Sequence, residues 1–359
     1  MSNFLVSSYS LSTAPRAAIF RIQDDLRTAQ KESTTGRLAD VGLGLGVRTN
    51  QTVSIRIERE NNTRLRESNA LIAQRFETMQ TTLESVVKTG EALVASLISN
   101  GASDPGITAS VQQAKAGLQQ FTGALNSAVG SRFLFSGASS DQPAIAFEAV
   151  GGGATRGYEQ NSTAKQATAD AFMAKFTFAQ NDPAVATISP AELEDFLDDG
   201  LDGLFQLPPV GQWQNWSNAD GSPVYNRISE SETLDVSYPA SHEAFRNIAK
   251  AYVMIADLGV EGMTGEARQL LTSRAIETLS QGLAQLTEIR SEIGGKQSRL
   301  EVTEEALKSR NSVLTLSMAS FEEVDQYEAS TRVTTLMNLL EVSYALTARI
   351  SRLSIINYL

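Results

Sequence analysis

Apolar residues recur at heptad spacing toward both ends of the chain and lose that rhythm in between. From Leu65 onward, Ile72, Phe76, Met79, Leu83, Val86, Leu93 and Leu97 hold a three-four alternation interrupted by Asn69 and Gly90, which predicts one long helix. The stretch "SDPGITASVQQAKAGLQQFTGALNSAV" follows, with Asp104 placed as a cap and Pro105 in the first turn. Ile107, Val111, Ala114, Leu118, Phe121, Leu125 and Val129 then share one stripe, predicting a second helix antiparallel to the first. In the last third, Ile293, Leu300, Leu307, Leu314 and Phe321 are spaced by sevens, with Ile276, Leu279, Leu283, Leu286 and Met318 in the same register. Arg290, Gln297, Glu304 and Asn311 occupy the alternate seam positions, and a seam so thinned suits a helix packed along a single neighbour.

Between these halves seven of the nine prolines and both tryptophans, Trp213 and Trp216, lie from Pro143 to Pro239, and "GGGATRG" and "NADGSP" are turn chemistry. "SRFLFSG" and "AKFTFAQ" read as short strands. Each end of the chain adds one amphipathic helix. At the N-terminus, Ser12, Thr13 and Pro15 form a start signal before Ile19, Ile22, Leu26 and Ala29. In "LMNLLEVSYALTARISRLSIINYL", Leu336, Leu339, Leu346, Ile350 and Leu353 fall on one helical face.

The expected architecture is therefore mainly α: a discontinuous long-helix coiled-coil bundle built from both chain ends, with a central mixed or β-rich inserted domain. Its parts are an N-terminal assembly helix at 1–40 paired with a C-terminal one at 323–359. The helical core has halves at 41–137 and 241–322, and the inserted outer domain takes 138–240.

Charge and composition narrow the function. The 359 residues carry a formal net charge of −11, which argues against nucleic acid or an anionic membrane as partner, since both need a basic face. No apolar run approaches the roughly 20 residues that span a bilayer, and "MSNFLVSSYSLSTAPR" lacks the basic start and apolar block of a cleavable signal peptide. Without cysteine there is no disulfide, thiolate metal site or thiol catalysis. The single histidine, His242 in "YPASHEAF", reads as a first-turn helix residue with no partners for general-base work. "DVGLGLGVRTN" has three glycines but no Lys-Ser/Thr of a phosphate loop, so it reads as a flexible joint between helical segments. "ELEDFLDDGLDG" misses the ligand order of a calcium loop and reads as a solvated acidic face. No catalytic, cofactor or metal site is expected, and the chain is read as a non-enzyme.

The segment "FEEVDQYEASTRVTTLMNLLEVSYALTARISRLSIINYL" resembles the C-terminal segment of bacterial flagellins and their relatives, through Val324-Asp325, Glu328-Ala329, Leu340-Glu341, Ser343-Tyr344 and Leu353-Ser354. Asn357-Tyr358-Leu359 is more like the hook-filament junction members of that family than its filament subunits. "SRFLFSG" is similar to an element following the second long helix of those junction proteins. "RLADVGLGLGVRTN" departs from the family in lacking an Asp-Asp-Pro or Asp-Asp-Ala element.

The resemblance implies an extracellular structural subunit of the flagellum, a junction adaptor with filament flagellin as the alternative. It further implies export through the flagellar secretion channel and prior capture of the C-terminal helix by a cytosolic chaperone. Implied partners are copies of the chain and neighbouring axial proteins, another hook-associated protein and flagellin. The residues expected at subunit interfaces are Ile19, Ile22, Leu26, Leu336, Leu339, Leu346, Ile350 and Leu353. Ordering a tail of roughly 35 residues costs about 1–2 kcal/mol each in backbone entropy, against about 1.5–3 kcal/mol per buried aliphatic side chain. The terminal helices are thus expected to be stable only when many copies bury one another's stripes, and the resemblance implies ends that are disordered in the monomer.

Overall fold

The structure, a computed structural model, describes residues 8–100, 104–145, 157–219 and 221–356; the side chains at 8–13, 47, 100 and 350–356 lie outside the described set. The chain divides into two compact units, Met1–Arg64 with Leu307–Leu359, and Leu65–Ala306. Two helices have residues in both units: α3, Thr49–Asn100, and α9, Gly265–Glu322.

The first unit is built on α1, Ser8–Thr35, and α10, Gln326–Ile356. α1 begins before the expected start signal and runs through Pro15. One proline removes a single intrahelical donor, and here it does not end the helix. Gly36 ends α1 with its amide bonded to the Glu32 carbonyl at 2.8 Å and a left-handed φ of 66°, the conformation glycine adopts without a Cβ clash. The chain then meets the end of α9 in an antiparallel bridge: Leu38 N–H donates to the Glu322 carbonyl, and Val324 N–H to that of Gly36, each at 2.9 Å. That bridge lays α10 antiparallel against α1. Ser33 and Ser330 hydroxyls meet at 2.8 Å, and Gln23 Nε2 donates to Tyr344 Oη at 2.8 Å farther along. The glycine segment forms a short helix, α2, Val41–Leu45, capped by Asp40, and a 3-10 turn at Gly46–Arg48, so the expected joint is a folded turn.

The second unit holds one hydrophobic core. It takes Phe76, Met79, Leu83 and Leu93 from α3, Phe121 from α4 (Asp104–Leu125), Phe245 and Tyr252 from α8 (Glu243–Asp257), and Leu279, Leu286 and Ile293 from α9. Gly90 stands in the α3 seam because Leu283 fills the space: a Cβ there would lie 2.7 Å from Leu283 Cδ2. The polar seam of α9 is used in ion pairs, Arg66 Nε with Glu304 Oε1 at 2.7 Å and Arg290 Nη2 with Glu84 Oε2 at 3.5 Å.

Residues 138–240 share this core and are mixed, with more helix than strand. They form α5 (Thr163–Phe176), α6 (Pro190–Asp195), a π-turn at Phe196–Leu201, α7 (Asp202–Phe205) and one hairpin, β3 (Tyr225–Arg227) with β4 (Thr233–Asp235). Within "SRFLFSG" only Arg132–Phe133 (β2) joins a ladder, with Ala128–Val129 (β1), across a turn in which Gly130 has φ 62°. "AKFTFAQ" is not a strand. Ser162 caps α5 by accepting from Lys165 N–H, and Phe172 and Phe176, one helical turn apart, pack with Phe178 and Phe196 in one aromatic cluster. The helix ends at Thr177, whose φ is 63°.

Candidate assembly surface

α1 and α10 face each other through matched seams. On α1, Pro15, Ile19, Ile22, Leu26, Ala29 and Ser33 are buried or half-buried at four-three spacing; on α10, Ala329, Val333, Leu336, Leu340, Ser343 and Thr347 are likewise turned inward. Ile19 is 8% exposed, and Ala29 and Ala329 are closed off. A charge pair pins the seam where the helices enter: Arg332 Nη1 lies 3.2 Å from Oε2 of the buried Glu32, whose Oε1 accepts from Ala39 N–H at 3.2 Å. Both carboxylate oxygens are thereby partnered, as a buried charge requires.

Beside that seam α10 carries a second apolar stripe that nothing among the described residues covers. Leu339, Val342 and Leu346, at three-four spacing, are 47%, 65% and 56% exposed, and Met337 and Tyr344 also stand open. Along the second half of α10 the usual amphipathic order is inverted, with Ser343 and Thr347 inward and Val342 and Leu346 outward. The same excess marks the rest of the unit. Of nineteen large hydrophobic side chains exposed among the described residues, twelve, including Phe20, Ile57, Val313 and Leu316, belong to the first unit. Exposed apolar surface, where it is contiguous, is a common mark of association sites.

The residues expected at interfaces thus fall into two groups. Ile19, Ile22, Leu26 and Leu336 lie in the α1–α10 seam, and Leu339 and Leu346 lie on the open stripe. Ile350 and Leu353 are within α10, with side chains outside the described residues. Val333, Leu340 and the Glu32–Arg332 pair were not among the residues expected at interfaces from sequence. The signal for them was there, since Ala329, Leu336 and Ser343 step by sevens, as do Val333, Leu340 and Thr347.

The other sequence features have structural partners. His242 caps α8, its Nδ1 accepting from Ala244 N–H at 3.2 Å, and partial burial holds its pKa below the ordinary value. In the acidic stretch, Glu192 closes a capping box with Ser189, whose hydrogen bonds hold that carboxyl below the usual range. Asp198 pairs with Arg274 at 2.7 Å, Asp202 with Lys250 at 2.7 Å, and Asp195 with Lys175. Among the described residues no cluster of three or more carboxylates or imidazoles is placed to hold a metal ion, and no helix is long and apolar enough to cross a membrane.

Comparison with known proteins gives these surfaces their context. The family model described as the bacterial flagellin N-terminal helical region matches residues 6–140, and that of the bacterial flagellin C-terminal helical region matches 276–359. No curated protein matches the chain. Among solved structures, a protein from Vibrio parahaemolyticus described as a flagellar hook-associated protein is similar at 10% identity with a TM-score of 0.50, over 77% of this chain and 97% of that one. Bacillus cereus FlgL is 12% identical with a TM-score of 0.46, over 74% of this chain and 98% of that one. At so low an identity the first likeness shows a shared fold. The two family matches take in both helical ends and most of the chain, and the chain belongs to the bacterial flagellin family, as a structural subunit of the bacterial flagellum.

Proposed function

We propose that the chain is the adaptor at the hook-filament junction, of the hook-associated protein 3 type, and that it joins the axial structure through the open face of α10. Members of its family self-assemble and associate with other axial proteins. The observation that carries the reading is the stripe Leu339–Val342–Leu346, apolar, periodic and open among the described residues, on a helix whose adjacent seam is already used by α1. A contact between this stripe and a different patch of the next copy is heterologous and need not close, which is the symmetry of a tube. Before assembly the same stripe would bind an export chaperone in the cytosol, because it is the face that needs cover while the chain awaits the secretion channel.

The choice of junction over filament rests on the residues that resemble junction proteins. Of these, Leu134-Phe135-Ser136-Gly137 is buried throughout, held by Arg75 Nη2 donating to the Leu134 carbonyl at 3.0 Å and Ala240 N–H donating to that of Phe135 at 2.7 Å. A strain lacking the gene decides between the two. Flagellin secreted into the medium with bare hooks on the cells is the expected result, whereas loss of all flagellin would make this chain the filament subunit.

A further inference from the structure

Within the first unit the α3–α9 pair carries apolar surface on both of its outer edges. Asn62 on α3 and Leu307 and Leu314 on α9 are buried, and Glu58 Oε1 meets Arg310 Nη2 at 2.6 Å, which marks the faces through which the two helices touch. Each helix turns about 100° per residue, so Val53 and Ile57 fall on the far side of α3 from that seam, and Val313 and Leu316 on the far side of α9. All four are open, at 47%, 54%, 61% and 71% exposed. Glu58 neighbours Ile57, and Arg310 lies one turn from Val313, so their ion pair sets the two stripes at about the same height. Charge is divided unevenly between the units. Of the chain's 30 Lys and Arg and 41 Asp and Glu, Leu65–Ala306 holds 16 and 30, a net −14, while the first unit is net +3.

We propose that copies of the chain pack side by side, the α3 edge of one, Val53 and Ile57, against the α9 edge of the next, Val313 and Leu316. The inference rests on the reading of the protein as a self-associating flagellar subunit and adds a second contact surface to the open face of α10. Three observations select another copy as the occupant. The stripes lie on opposite edges of one helix pair, so every copy brings both halves of the contact, and repeating it is a heterologous association. Their similar height lets stripe meet stripe when a copy is set alongside with little axial shift. And units of net −14 repel one another, whereas the first unit is near neutral and holds twelve of the nineteen exposed large hydrophobic side chains among the described residues. Close approach between copies is therefore least opposed, and most rewarded by apolar burial, along these two edges.

The absence of cysteine makes the test direct. Ile57→Cys and Val313→Cys are made singly and together, and isolated flagella are treated with a short bismaleimide. The double variant should give dimers and higher multimers of this chain, and each single variant only monomer. Dimers from Ile57→Cys alone would mean a two-fold contact, and no multimers from the double variant would mean that something other than a second copy's α9 edge faces α3; either result overturns the proposal. A charge exchange reads the same contact without a cross-linker. Ile57→Glu and Val313→Lys sit at open positions, so each should leave the monomer's melting temperature unchanged while incorporation into flagella falls by about tenfold or more, and the two together should restore most of it. Normal incorporation of both single variants would overturn the edge contact. The reading that it rests on is tested apart from it: if serine at Leu339 and Leu346 blocks incorporation while the edge variants assemble normally, the α10 contact stands and this one falls. If the deletion strain shows the chain to be the filament subunit, multimers from the double cysteine variant still support the edge contact while the junction reading falls.

Discussion

Replacing Leu339 and Leu346 with Ser separates assembly from folding. Both side chains are about half exposed, which is close to what a leucine keeps when only its own helix covers it. Their removal should cost the isolated chain little. An assembled neighbour would bury the remaining half, roughly 1 kcal/mol per residue from a full burial of about 1.5–3 kcal/mol. Two such losses weaken each contact by about 2 kcal/mol, on the order of 30-fold, since about 1.4 kcal/mol is tenfold, and the loss recurs at every copy. Ile19→Ala is the counterpart: at 8% exposed it should cost about 2–5 kcal/mol of α1–α10 pairing. Hydrogen exchange of the secreted monomer reads the local effect on these two helices, and immunoblots of sheared flagella read incorporation. The double serine variant should keep wild-type protection and fail to incorporate, while Ile19→Ala loses protection. If the serine variant loses protection as Ile19→Ala does, the stripe packs within its own chain; if it incorporates normally, the stripe is not the interface.

Two further outcomes follow from the second unit. Burial, with Arg246 nearby, lowers the His242 pKa from 6.5 against the opposing pull of Glu243, Glu292 and Glu288, so the folded state binds this proton less tightly; the stability this contributes is present above the unfolded pKa and is lost as pH falls toward the folded value. Wild type should lose more melting temperature between about pH 7.5 and 5 than His242→Asn, which keeps a cap without titrating; parallel curves would refute the assignment. Gly117→Ala should destabilise by about 1–3 kcal/mol, because its Cβ would sit 2.5 Å from Cε1 of the buried Tyr252. Gly123→Ala on the same helix meets no atom within 4 Å and should gain about 0.5–1 kcal/mol in a thermal melt; responses of the same sign would refute the packing argument.

The long helices were legible because their seams are apolar at fixed spacing, and legibility stopped where the seam turned polar. α3 begins at Thr49, well before Leu65, because Thr52 and Asn62 occupy buried positions ahead of the apolar run. A hydrophobicity pattern reads those two as surface. Asn62 has no hydrogen-bond partner for either side-chain polar atom, so neither its polarity nor its local bonding announces the burial. The misread strand at "AKFTFAQ" fails for another reason. Phe176 and Phe178 alternate, but Phe172 lies one helical turn before Phe176, and the left-handed Thr177 swings Phe178 back into the same cluster. Two aromatics two residues apart fit a strand or a helix end equally, and only Ser162, a cap far upstream, distinguishes them.

At the assembly surface the sequence showed that α10 is too apolar, and the structure shows which part is surplus. Two paired helices bury one seam each, and α1 offers a narrow one, with Ala29 against the α10 side and Ser33 touching Ser330. That seam accepts Ala329, Val333, Leu336 and Leu340, leaving no room for Leu339, which periodicity places beside Leu336 on the same face. Periodicity alone assigns residues to a helix face to within about one position, and here one position separates intrachain packing from open surface. The inversion beyond Leu340 is the stronger clue. A helix selected only to pair with α1 would place its aliphatic side chains at 343 and 347 and its polar ones at 342 and 346, and this chain does the reverse. Such an arrangement lowers the stability of the isolated pair and raises that of any complex covering the outer face, which is the demand the proposed assembly contact would place on this half of α10.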